Sequence, residues 1–455
     1  MNELDAAYRS HNGEEVNLGL TAGQAMLEAA RCLDCPSPTC ITGCPVGVAI
    51  PTFIKYIEAG RFMDAARTLK QTSALPAVCG RVCPQERQCE ANCIHLKMQK
   101  EAVAIGYLER FAADYERGSG EMSAPEVAPS NGMGVAVIGS GPAGLSFAGD
   151  MAKRGYEVTV FEALHEIGGV LKYGIPGFRL PNKIVDAEID ILSRMGVRFI
   201  NNCIVGKTIT YEDLRQSGFK GIFAASGAGL PNFMNIPGEN LIGVMSSNEY
   251  LTRVNLMDAA NPESDTPVMT GKNVAVIGGG NTAMDSVRTA RRLGAGRAII
   301  VYRRSEEEMP ARLEEVKHAK EEGVEFLTLH NPIEYLGDGK GHVRQVRLQK
   351  MQLGEADASG RRSPIAIKDA VETIDIDEVI VSVGVSPNPL IPATFPGLEV
   401  TRRGTITVDE ATMQSALPDV YAGGDIVRGG ATVILAMGDG RKAAAAMDKA
   451  IGVKE

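Results

Sequence analysis

Eight of the nine cysteines fall between Cys32 and Cys93, and the ninth, Cys203, stands far from them. The spacing is Cys32-x2-Cys35-x4-Cys40-x3-Cys44, then Cys79-x3-Cys83-x5-Cys89-x3-Cys93, with Pro after Cys44 and Cys83. Eight thiolates in two groups of four suit two [4Fe–4S] clusters. Structural zinc is the alternative donor chemistry, but it favours paired CxxC knuckles, and only Cys32/Cys35 has that spacing.

A second chemistry lies in two glycine runs. Gly139-Ser-Gly141-Pro142-Ala143-Gly144 follows an apolar strand, Val135–Ile138, and precedes a helix predicted over 144–154. A second strand, Glu157–Phe161, ends at Glu162. Gly139 permits the tight turn, Gly141 lets the backbone approach a pyrophosphate, and Gly144 allows close helix–sheet packing. The helix N-terminus offers free N–H groups to phosphate, and Glu162 can accept from ribose hydroxyls. The second run, Gly278-Gly-Gly280-Asn281-Thr282-Ala283-Met-Asp285, follows Val274–Ile277. Its next strand, Ala298–Tyr302, ends on Arg303 and Arg304 where the first unit has Glu162. A carboxylate there repels a 2′-phosphate, whereas arginines pair with it, so this unit is expected to prefer NADP(H).

These groups need elements to position them. Ile50, Phe53, Ile54 and Ile57, then Phe62, Ala65, Ala66 and Leu69, repeat at helical spacing, and a third helix is expected over 102–115. Residues 1–115 thus read as a helical cysteine-rich domain, and 116–133 as a Gly/Ser/Pro/Glu linker. From Gly134 onward short apolar strands alternate with helices, the pattern of an α/β sheet. The likeness of VAVIGSGPAG to VAVIGGGNTA marks an internal duplication of a nucleotide-binding unit. The fold expected is α/β with an N-terminal α-helical Fe–S domain and two Rossmann-like folds, the second inserted in the first. Segment 134–250 would form the first part of an FAD-binding domain, 251–380 the NAD(P)H-binding domain, and 381–455 the second part of the FAD domain.

The chain has 455 residues and a net charge of −9, with 47 Lys+Arg against 56 Asp+Glu and no basic cluster suited to nucleic acid or anionic lipid. No apolar run reaches the length of a membrane span, so no membrane partner is expected. The polar, acidic opening MNELDAAYRSHNGEE lacks the apolar core of a secretory signal, and a cytoplasmic location is expected.

The order of glycine run, acidic residue, Gly168-Gly169 and distal Ala422-Gly-Gly424-Asp425 resembles flavoproteins with two dinucleotide-binding domains. That resemblance implies FAD in the first unit, Asp425 on the flavin side chain, and a helix from Thr432 aimed at the ring. The whole set, including RCLDC, CGRVCP, KYGIPGFRLP (172–181) and YRRSEEEMPA (302–311), resembles the small (beta) subunit family of NADPH-dependent glutamate synthase. Similar modules occur in dihydropyrimidine dehydrogenase, in NADH-dependent ferredoxin:NADP+ oxidoreductase and in sulfide dehydrogenase. The resemblance implies interleaved clusters: Cys32, Cys35, Cys40 and Cys93 on one, and Cys44, Cys83, Cys89 and Glu109 on the other. Cys79 would be a spare thiol, although counting alone leaves an all-cysteine set open. The activity implied is NADPH oxidation through FAD and two [4Fe–4S] clusters to a redox partner. That partner is a glutamate synthase large subunit or, in the alternative, a ferredoxin-linked, pyrimidine-reducing or sulfur-reducing one. A non-catalytic zinc scaffold is the competing class, and intact glycine loops argue against it.

Other residues read as structural. The six histidines read mostly as surface groups, Glu306–Glu308 as the cap of a helix starting near Met309-Pro310, and 314–322 as a solvated helix face. Arg179 suits either the cofactor cleft or a salt bridge. A redox-active cysteine pair is not expected beside the flavin, since Cys203 is the only cysteine in that portion.

Overall fold

The helices Ile50–Glu58, Phe62–Lys70, Pro76–Val82 and Ile105–Ser119 enclose an apolar interior. Phe53, Ile54, Ile57, Leu69 and Leu108 are fully buried there, the faces that the helical spacing marks. The last helix runs four residues into the stretch read as linker and stops at Gly120, whose φ of +75° takes the left-handed turn. The rest of that stretch lies against the next unit: Ala128 N–H donates to Lys153 O, and Asn131 N–H to Gly155 O. The computed structural model describes residues 2–356 and 360–452, so 453–455, which close the last expected segment, lie outside the described residues.

Two five-stranded parallel sheets follow. The first has the order Val420–Ala422, Gly221–Ala224, Gly134–Ile138, Glu157–Phe161, Arg198–Ile200. The second has Val244–Ser246, Glu378–Val381, Asn273–Ile277, Arg297–Tyr302, Glu325–Thr328. Each places its glycine-bearing strand at the centre, where the order of connections reverses and ligands bind beyond the strand ends. The second sheet lies within the chain of the first. Leu230–Pro231, on the way in, pairs antiparallel with Val385–Ser386, on the way out. A three-stranded antiparallel sheet, His330–Gly337, Val343–Ala356 and Arg362–Asp375, completes the second unit. No helix among the described residues is long and apolar enough to cross a membrane.

The helix Leu313–Glu321 corrects the solvated reading of 314–322. Glu315, His318 and Glu322 are buried. Glu322 accepts from Arg288 at 2.7 Å, Arg292 at 2.8 Å and Arg9 at 3.1 Å. Glu315 pairs with Arg288 and, at 3.0 Å, with Arg179. Arg9 comes from the first turn of the chain and Arg179 from the first nucleotide unit, so the cluster ties three segments together. Glu306–Glu308 form a single 3₁₀ turn rather than a helix cap, and the helix begins at Leu313. His95 is buried as well, its Nε2 2.8 Å from Arg31 O.

Burial pushes Glu322 upward, but hydrogen bonds from Arg288 and Arg292 outweigh it and hold the carboxyl at about 2. Burial likewise opposes Arg179 and Arg288 at Glu315, which also sits at about 2. Both groups therefore lend stability that is complete above the ordinary value of 4.5 and is lost as pH falls from there toward 2. Glu322→Gln should lower stability at pH 7 by about 3–5 kcal/mol, the usual effect of breaking a buried pair. Its melting temperature should also fall less steeply with acid than that of the parent. Equal melting of parent and variant across pH 7 to 3 would contradict this role.

Candidate functional site

The first glycine loop is built by close approach. Gly139 has φ +97°, and a Cβ there would meet Ala225 O at 2.5 Å. A Cβ on Gly144 would meet Gly139 O at 2.1 Å, so the helix Pro142–Lys153 can lie directly on its strand. Gly141 differs: a Cβ there would have nothing within 4 Å, because it faces open space. Pro142 begins the helix, where its missing N–H removes no helical bond.

That open space is a cavity of about 600 Å³. Gly139, Gly141, Pro142, Ala143, Glu162 and Gly169 line it from the first unit, and Gly424, Asp425 and Thr432 from the C-terminal segment. Glu162 is buried. Its Oε2 accepts from Ser140 N–H at 2.9 Å and Ser140 O–H at 2.6 Å, and its Oε1 from Leu164 N–H at 2.9 Å. It braces the loop while lining the cavity. Gly424 has φ +76°, and its N–H donates to the buried Asp439 at 3.0 Å. Burial pushes the Asp425 carboxyl up, and its Oδ1 accepts from Ala431 N–H at 2.9 Å. Thr432 caps the helix Val433–Ile451.

The second unit opens into the same cavity through Asn281, Thr282 and Asp285. Asp285 is pushed up to about 6 by burial, against the opposing Arg179, whose guanidinium lies 2.6 Å away. Arg179 also lines the cavity, so it serves both roles considered for it. Gly144, Gly278, Gly280, Arg303 and Arg304 do not line it. Gly278 is a turn residue at φ +146°, with Ser382 O 2.3 Å from a built Cβ. Arg303 is exposed, and Arg304 Nε donates to Arg362 O at 2.9 Å.

The thiols gather in two places. Cys32, Cys35, Cys40 and Cys93 line a small cavity walled by Ile50, Ile54, Val103 and Ile105. Burial, then the neighbouring Cys32 and Cys93, push Cys40 up to about 11. Cys44, Cys83 and Cys89 form the other group, each within electrostatic reach of Glu109. Burial, then Glu188, pushes the Glu109 carboxyl up to about 8. Cys79 adjoins this group, with its Sγ 3.5 Å from Met437 Sδ. Val82 and Pro84, on either side of Cys83, line the large cavity, so the second thiol group sits in its wall.

These features fit the implied cofactors. The glycine cradle leaves room where a dinucleotide backbone must pass, and the cavity volume lies in the usual ligand range of about 300–1,000 Å³. Clustered, undisulfided thiols form donor sets that metal binding would deprotonate. Val82 and Pro84 belong to the CGRVCP motif, but nothing in the sequence marked them as cavity lining, because tertiary docking brings them there.

A family model described as dihydropyrimidine dehydrogenase domain II, 4Fe–4S cluster, matches residues 9–121. Another, described as pyridine nucleotide-disulphide oxidoreductase, matches 133–444. The glutamate synthase [NADPH] small chain of Azospirillum brasilense is 38% identical over 96% of this chain and 92% of its own. That of Escherichia coli is 37% identical over 94% and 92%. The NADP(+)-dependent formate dehydrogenase subunit beta of Moorella thermoacetica is 37% identical over 90% of this chain and 59% of its own. Among solved structures, Mycobacterium tuberculosis FprA in complex with NADPH superposes with a TM-score of 0.59 at 21% identity, covering 71% of this chain and 85% of that one, a likeness of fold.

Gly141 offers a clean check, since its Cβ direction is open. Gly141→Leu should fold and melt within a few degrees of the parent yet purify without flavin absorbance. Undiminished flavin in that variant would remove the loop from the binding site.

Proposed function

The chain belongs to the glutamate synthase [NADPH] small-chain family, a 4Fe–4S domain joined to a pyridine nucleotide-disulphide oxidoreductase fold, and from that premise we propose that it is an electron-input subunit. It oxidises NADPH and passes electrons through FAD and two [4Fe–4S] clusters to a partner subunit, a glutamate synthase large subunit. The observation that carries this reading is the single cavity. It is lined at once by the first glycine loop, by Asn281, Thr282 and Asp285 of the second unit, and by the neighbours of Cys83.

The residues divide the work. Gly139, Gly141, Pro142, Ala143, Gly144, Glu162 and Gly169 hold the FAD adenosine and pyrophosphate, and Gly424, Asp425 and Thr432 hold its distal part. Gly278, Gly280, Asn281, Thr282 and Asp285 hold the nicotinamide nucleotide, with Arg303 and Arg304 at the 2′-phosphate. Cys32, Cys35, Cys40 and Cys93 ligate one cluster, and Cys44, Cys83, Cys89 and Glu109 the other. An FAD held by these residues would supply a hydride acceptor able to release single electrons, and clusters held by the thiols and Glu109 would supply one-electron carriage. The protein contributes orientation and exclusion of water, and no acid–base residue is required. A disulphide step has no place in this reading, because among the described residues Cys203 is the one cysteine lining the cavity.

A second reading keeps the site and changes the partner. The Moorella relative is named for formate dehydrogenase and is about as similar as the glutamate synthase chains. In this reading the partner is a ferredoxin-linked or other redox subunit, and electron flow can run either way.

Anaerobic protein should carry one FAD and about eight irons per chain, as two four-iron clusters require. NADPH should bleach its visible spectrum faster than NADH. Zinc in place of iron, or no bleaching with either nucleotide, would overturn the reading. The ligand assignment has its own check: Glu109→Ala should lose about four irons, whereas Cys79→Ser should keep them all. The reverse pattern would make Cys79 the ligand.

A further inference from the structure

The chain's first strand, Asn2–Glu3, runs antiparallel to Asn17–Gly19, with Glu3 paired to Asn17 across the ladder. Against them lies the helix Leu313–Glu321, where Glu314 and His318 stand four residues apart and so share a face. Side chains of the two elements meet. His318 Nε2 lies 3.2 Å from Glu3 Oε2, and Asn17 Nδ2 donates to Glu314 Oε1 at 3.4 Å. Glu3, Glu314 and His318 each bring one nitrogen or oxygen to within 4.8 Å of the other two.

Two buried atoms at this place lack a partner. His318 is 1% exposed, yet its Nε2 makes no hydrogen bond, even to the neighbouring Glu3. Asn17 Oδ1 is buried without a donor as well. Such orphans are costly, and each calls for a partner. The carboxylates are held only in part. Glu3 accepts from Arg9 at 3.3 Å and Lys317 at 3.4 Å, and Glu314 from Tyr107 Oη at 2.9 Å and Arg312 at 3.2 Å. Arg9 is shared with Glu321 and Glu322, and Arg312 with Glu86. A carboxylate offers about four acceptor sites, so both glutamates can bind further. The 3.2 Å between Nε2 and Oε2 also suits two ligands of one metal, because a tetrahedron with bonds of about 2.0 Å has an edge of about 3.3 Å.

We propose that Glu3, Glu314 and His318 ligate a divalent cation of the zinc class, which pins the start of the chain to the second nucleotide unit. An imidazole with two carboxylates is a donor set for a first-row divalent ion rather than for magnesium or calcium, which take oxygens. The ion takes the lone pair of the ring nitrogen, and a water in its fourth position gives Asn17 Oδ1 a donor. The site uses no thiol, so it is separate from the two cysteine groups. Its role is mechanical, a cross-link beside the ion pairs of Arg9 with Glu321 and Glu322.

The test is equilibrium dialysis of the anaerobic holoprotein against Zn2+ and, separately, against Mg2+, with bound metal counted by atomic emission. Zinc should bind at about one ion per chain in addition to the iron, and should raise the melting temperature, since it binds the folded state alone. Mg2+ should do neither. X-ray absorption at the zinc edge should show nitrogen and oxygen neighbours without sulfur. His318→Ala and Glu3→Gln should each weaken zinc about tenfold or more and leave the iron count unchanged. Glu3→Gln decides the matter where loss of the buried histidine prevents folding. The proposal falls if zinc does not bind, if Mg2+ serves equally well, or if sulfur stands among the zinc neighbours. It falls too if Glu3→Gln binds zinc as the parent does.

Discussion

The guanidinium of Arg179 leaves the first nucleotide unit and ends among carboxylates of the second, 2.6 Å from Asp285 and 3.0 Å from Glu315. Two sheets linked through a pair of crossing strands could adopt many relative orientations. This contact, together with others such as Asn255 Nδ2 donating to Tyr173 O at 3.2 Å, holds one, and it does so inside the cavity that both units line. Around it, Arg288, Arg292, Arg9 and Glu322 extend the same alternation of charge. Arg288 and Arg292 also stack on Phe178, the residue before Arg179, at 4.7 and 3.9 Å. Buried charges of this kind are weak sources of net stability, but each becomes costly when its partner is moved. Their effect is therefore to make other orientations unfavourable.

That orientation matters because hydride transfer depends on placement more than on any catalytic group. Asn281 shows how placement is relayed. It stands at the start of the second glycine-loop helix and lines the cavity, while its Oδ1 accepts from Arg312 N–H at 2.9 Å. Arg312 in turn donates to Arg81 O at 2.8 Å and to Gln85 at 3.1 Å in the helical domain. One short chain of bonds thus runs from the thiol domain to the cavity's nucleotide end.

The glycine loops were legible in sequence because their chemistry is local: a turn, a close approach and a helix start occupy six consecutive residues. The parallel sheets followed from the same local pattern, and four strands of each share one order, as the duplication of the glycine runs implies, while the fifth, edge strand follows the others in the first sheet and precedes them in the second. Glu315 and Glu322 were not legible. In EEVKHAKEE they look like any solvated helix face, and only the arginines of distant segments make burial tolerable. The antiparallel sheet left no mark on the reading, since alternating residues on half-exposed strands resemble a polar loop.

The cysteines show where spacing stops and packing begins. Spacing divides them into two runs of four, whereas the fold divides them otherwise, with Cys93 beside Cys32, Cys35 and Cys40. Thr39 Oγ1, beside Cys40, donates to Asn92 O, beside Cys93, at 2.6 Å, while the other group faces the helix Val433–Ile451. Gly438 of that helix would bring a Cβ to 3.1 Å from Pro45, and Met437 touches Cys79. Both contacts set the Cys44 and Cys79–Cys83 segments against the element whose N-terminal cap, Thr432, lines the cavity. Cys93, farther along the chain, is left to the other group. Gly438 thus lets the turn after Cys44 lie close to the helix whose cap lines the cavity. That division sets a direction: one thiol group adjoins the nucleotide cavity, and the other has no residue lining it among those described.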